Sequence, residues 1–128
     1  VNGLPVWALT AGAVVLVAAC GERPVVRADF DPGPAPAEHA DGKRTFEARC
    51  ARCHGVNGVG TDAGPPLVHV VYQASHHADM AFERAVALGV PAHHWRFGNM
   101  PPVSGVDLPA VRRITAYVRW LQRQAGIE

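Results

Sequence analysis

Cys50, Cys53 and His54 stand in the stretch CARCHG as C-x-x-C-H. Two thiols three residues apart on a helical turn share a face and can reach the two vinyl groups of one porphyrin. The residue directly after the second thiol is an imidazole, placed to serve as proximal ligand to the iron. The pattern points to covalent attachment of one c-type haem through Cys50 and Cys53, with His54 on the metal. Further along, HHWRFGNMPPVSG holds Met100 between Asn99 and two prolines. A thioether is a soft, neutral donor that favours Fe(II) over Fe(III). Pro101 and Pro102 fix φ and remove two backbone donors, so a loop of this kind loses less entropy when a weak iron–sulfur bond forms. Met100 is the expected sixth ligand. His93 and His94 are its rivals, and are otherwise surface residues or neighbours of the haem propionates. Trp95 and Arg96 could also meet the propionates, with Trp95 alternatively in the core.

Two other readings of the cysteines are weaker. A zinc module usually presents a second C-x-x-C or an H-x3-5-H pair, whereas this chain offers only the doublets His76-His77 and His93-His94. A thioredoxin-like redox pair needs a preceding strand in a βαβ pattern, and none is visible.

The elements that must position these residues follow from patterning. In HADGKRTFEARCARC, Phe46 and Cys50 lie at i, i+4 and Asp41 sits near the start, which predicts a helix that delivers the attachment motif at its C-terminal end. GVNGVGTDAGPPL is a glycine-rich loop. It lacks a preceding strand and a following G-K-S/T, so it reads as a wrap around the proximal haem edge and not as a phosphate cradle. A second helix is predicted over about 77–88, with Phe82, Ala85 and Val86 on its packed face, Gly89 as its stop and Met80 as core filler. The last helix has Asp107 as N-cap, Pro109 in its first turn and Val111, Ile114, Val118 and Leu121 at spacings of three and four, broadened by Tyr117 and Trp120. Gly126 is its stop, and Arg112, Arg113, Arg119 and Arg123 read as a solvated face.

The chain has 128 residues, is 48% hydrophobic and carries a formal charge of +1, which suits one small globular domain. Its basic residues are dispersed in runs no longer than two, so it is not a nucleic-acid binder. Two haem propionates would bring the charge to about −1, too near zero to indicate a partner's charge.

Residues 1–19, VNGLPVWALTAGAVVLVAA, carry no charged side chain. The apolar run is short for a membrane span of about 20 residues and long enough for a signal-peptide core. It ends in LVAAC, which resembles a bacterial lipoprotein signal with Cys20 as the lipidated residue. The usual basic residue near the start is missing, and an uncleaved anchor or a plain export signal is the alternative. Residues 20–37, rich in proline, read as a tether, with packing on the domain open to Val25, Val26 and Phe30. Residues 38–128 are the haem domain, small for an independent core unless a cofactor fills its centre.

Together, the helix with Gly42 and Phe46, CARCH, GPPL, a Met followed by Pro, and a final helix containing ITAYVRWLQ resemble a class I bacterial cytochrome c over nearly all of residues 38–128. The resemblance implies an all-α fold of three to five helices around one covalent haem. It implies that the first and last helices cross at Gly42, pairing Gly42 and Phe46 with Ile114, Tyr117 and Val118. It further implies that the Pro65 carbonyl accepts a hydrogen bond from His54, and that the distal ligand is Met100. The His93-His94-Trp95 run is not part of the minimal family pattern. No catalytic base, nucleophile or second cofactor motif is visible. The expected function is single-electron transfer between membrane or periplasmic redox proteins, from a lipid anchor on the periplasmic side. A peroxidase-like enzyme or a gas sensor with an open sixth position is the alternative.

Overall fold

The structure, a computed structural model, describes residues 29–127. Cys20, the apolar segment and the first part of the proline-rich stretch, with Val25 and Val26, lie outside the described residues. Among the described residues four helices follow one another: α1 (Ala40–Arg49), α2 (Ala51–His54), α3 (Asp79–Leu88) and α4 (Leu108–Gln124), with single 3-10 turns at Ala37–His39, Val56–Gly58 and Val70–Tyr72. Among the described residues there is no strand, only the isolated bridges Thr61 to Gly64 and Val90 to Met100. The fold is the expected small all-α one.

Helix α4 organises the core. The Asp107 carboxylate accepts from the Ala110 N–H at 2.8 Å and Pro109 occupies the first turn, so the helix starts where its capping chemistry dictates. Val111, Ile114, Tyr117, Val118 and Leu121 fall on one stripe and are buried. Helix α1 crosses this stripe at Gly42. A Cβ there would lie 2.1 Å from the Arg113 carbonyl oxygen and 3.1 Å from the Tyr117 Cβ, so only glycine lets the two backbones touch. One turn on, Phe46 is fully buried and meets the Tyr117 ring edge to face at 5.7 Å, and Tyr117 in turn stacks on Trp120 at 5.8 Å. The pairing implied by the resemblance is therefore present. Phe30 and Ala35, from the proline-rich stretch, pack against the same core.

Two expectations are corrected. Met80 is not core filler: it is 66% exposed, because two positions before Phe82 is the far side of α3 from the face that packs. Arg119 is not solvated. Only 11% of its side chain is exposed, and its guanidinium donates to Asp79 at 2.8 Å, to the Tyr72 carbonyl at 2.6 Å, to Gln122 at 2.7 Å and to the His77 carbonyl. It also lies over the Phe82 ring at 5.1 Å. Buried Gln122 completes the network by donating to the carbonyls of Leu67 and Tyr72 at 2.8 and 3.0 Å. The segment between α2 and α3 has little regular structure, so these two side chains supply the partners that its buried carbonyls need.

No helix among the described residues is long and apolar enough to cross a membrane.

Candidate haem site

The chain kinks at Cys50, whose φ of −120° ends α1, and starts a fresh turn that carries the attachment motif. The N–H groups of Cys53 and His54 both donate to the Cys50 carbonyl, at 3.1 and 2.9 Å, which holds the two thiols one turn apart. The glycine-rich loop then caps this turn. The Gly60 N–H donates to the His54 carbonyl and the Thr61 hydroxyl to the Cys53 carbonyl, each at 2.6 Å, satisfying acceptors that a helix end leaves bare. Neither partner was legible in the sequence as more than loop composition.

The same loop turns back through Pro65, whose carbonyl lies 2.9 Å from Nδ1 of His54. With Nδ1–H donating there, the ring orientation is set and Nε2 is left as the free lone pair. Burial lowers the His54 pKa from its ordinary value, an effect opposed by the Pro65 bond, so the imidazole is neutral at pH 7 and competent to bind a metal. Burial likewise pushes the Cys50 thiol up to about 11.

Met100 is held from several directions. Its N–H and carbonyl exchange hydrogen bonds of 2.9 Å with Val90, just after α3. The Asn99 side chain accepts from the Ala92 N–H at 2.9 Å, closing the loop 92–99, and the Val103 N–H donates to the Val86 carbonyl. Arg49, at the end of α1, donates to the Ser104 carbonyl. Proline stiffness is thus only part of what fixes this loop. The bridge also needs Gly89, where a Cβ would lie 2.5 Å from the Met100 carbonyl oxygen. Sequence reasoning read this glycine as a helix stop alone.

Cys50, Cys53, His54, Pro65 and Met100 all line one cavity of about 760 Å³, together with apolar side chains such as Phe46, Leu67, Phe82 and Ile114. Its size is in the range of cofactor sites. Tyr72 and Trp95 form part of the wall, joined by the Trp95 indole N–H donating to the Tyr72 hydroxyl at 3.1 Å. Trp95 is half-buried, with its ring edge against His69. His93 and His94 are exposed and also border the cavity. Two thiols on one turn, a neutral imidazole with its far nitrogen free, a thioether and an apolar enclosure are a donor set that fits a covalently bound haem.

No curated protein and no solved structure matches the chain significantly. The family model described as Cytochrome c matches residues 39–122, from the turn before α1 to within two residues of the end of α4. The chain belongs to the cytochrome c family, whose cofactor is a covalently attached c-type haem.

Proposed function

We propose that the protein is a single-electron carrier in which Cys50 and Cys53 would hold the haem and His54 and Met100 would supply the donors to its iron. The observation that carries this reading is that these four side chains line one apolar cavity. When bound, the haem supplies the one-electron couple of its iron. The chain's part is to hold and to exclude. The Pro65 carbonyl fixes the His54 ring, the Val90 bridge keeps Met100 at a constant position, and Phe46, Leu67 and Ile114 keep water from the cavity floor. A neutral thioether in a low-dielectric site favours the reduced state and so raises the potential. Ligands that stay in place in both oxidation states keep reorganisation small, which suits a carrier exchanging electrons with redox proteins. In this reading the segment ending in LVAAC is a lipoprotein signal, and a diacylglyceryl group on Cys20 tethers the domain to the periplasmic face of a bacterial membrane. Mass spectrometry of Cys20 tests that part.

The test of the site is Met100→Ala in the haem-loaded protein. The sulfur-to-iron charge-transfer band should vanish, the potential should fall, and ferrous protein should gain CO binding that the wild type lacks. Rapid CO binding by the wild type at neutral pH, or loss of the distal ligand in His94→Ala instead, would put the enzyme or gas-sensor reading ahead.

A further inference from the structure

Outside the haem ligands, four histidines from two separate segments meet at the rim of the cavity. His76 and His77 lie on the turn before α3, and His93 and His94 on the loop leading to Met100. The His94 ring lies 5.4 Å from His76, 5.2 Å from His77 and 4.2 Å from His93. One ring nitrogen from each of His76, His77 and His94 falls within 4.8 Å of the others. We propose that His76, His77 and His94 form a binding site for a divalent d-block cation of the zinc(II) and copper(II) class. The site uses none of the residues assigned to the haem.

Two observations support it. The first is donor chemistry: three imidazoles leaving one position open is a set that zinc and copper accept. Tetrahedral closure at a metal–nitrogen distance of ~2.05 Å brings the nitrogens to about 3.3 Å apart. Exposed His76 and His94 can supply that movement by small side-chain rotations. The second is preorganisation. The turn under His76 and His77 is closed by their N–H groups donating to the Gln73 carbonyl, and Arg119 holds the His77 carbonyl. The other loop is closed by Asn99 and by the Val90 bridge. Nδ1 of His77 is 2.6 Å from the Val71 carbonyl, the bond that commonly orients a metal-binding imidazole and leaves Nε2 for the ion.

The site joins the turn before α3 to the loop that carries Met100, so occupancy cross-links two segments that are well separated in sequence. The haem-loaded protein titrated with zinc(II) in a calorimeter, and with copper(II) followed by electron paramagnetic resonance, should bind one equivalent, with nitrogen hyperfine structure for copper. His94→Ala and His76→Asn should each weaken binding at least ~10-fold. Zinc should raise the melting temperature of the wild type and not of these variants. His39→Gln, away from the cluster, is the control and should bind as the wild type does. Absence of saturable binding, or unchanged affinity in both cluster variants, would overturn the proposal. So would a change in the haem spectrum of metal-free His94→Ala, which would assign His94 to the iron. That last result fails the carrier reading as well, whereas loss of cation binding with an intact haem spectrum leaves it standing.

Discussion

Gly89→Ala isolates the contact on which the position of Met100 depends. The native backbone at this residue has φ 75° and ψ −179°, a combination essentially restricted to glycine and distinct from the left-handed cap that asparagine tolerates. A non-glycine residue held there costs about 1–3 kcal/mol. The new methyl would also sit 2.5 Å from the Met100 carbonyl oxygen and 3.0 Å from Pro102 Cδ, inside ordinary contact distance, so the Met100 segment must retreat by roughly 1 Å. Retreat lengthens the paired 2.9 Å bonds to Val90, each worth about 1 kcal/mol. A loss of about 3 kcal/mol would lower the melting temperature of a domain this size by roughly 12–24 °C. The haem-loaded variant should therefore melt well below the wild type, show a weakened sulfur-to-iron band and bind CO. Gly89→Asn should do no better than Gly89→Ala, because the strain is not of the left-handed kind. If Gly89→Ala melted with the wild type and kept the full band, the proposed coupling between the end of α3 and Met100 would be wrong.

The remaining predictions concern the scaffold. Gly42→Ala forces α1 off the Arg113 carbonyl and should destabilise by about 3 kcal/mol or more in a denaturant melt. Arg119→Met removes donors to two backbone carbonyls and to Asp79 and should cost about 2–4 kcal/mol in the same assay, with faster amide exchange at residues 72–78. The Tyr117 hydroxyl, pushed up to about 12 by burial and by the Glu47 carboxylate, ionises in the unfolded chain near its ordinary value of about 10. Above that pH the folded state binds more protons than the unfolded one, so stability should fall between about pH 10 and 12. Tyr117→Phe should flatten that part of the profile while losing the 3.3 Å bond to Asn57.

What was legible in the sequence was chemistry set by short-range spacing. C-x-x-C-H spans only five residues, and α4 announces itself through a cap, a first-turn proline and an apolar stripe within one helix. The Gly42 crossing and the Pro65 carbonyl came from the family resemblance, because nothing local says which distant carbonyl a glycine or an imidazole will meet. Arg119 was misread for the same reason. On a helical wheel it is one more charge beside Arg112 and Arg123, and only the path of residues 67–78 turns it inward. The convergence of the two histidine doublets was equally invisible, since each doublet is unremarkable until the fold brings the turn before α3 against the loop before Met100.

The meeting of Phe46 with Tyr117 also sets an order of assembly. Along the chain CARCHG is complete 62 residues before Tyr117 is reached. Through that interval Phe46 has no ring to close against, and Cys50, which in the finished domain packs against the core, has no core to enter. In the finished domain Cys50 is partly covered by the core while both thiols still line the cavity, so docking of α4 on α1 narrows the approach to them. A substitution that hastens or delays docking, such as one at Gly42, should therefore change the yield of haem-loaded protein as well as its stability.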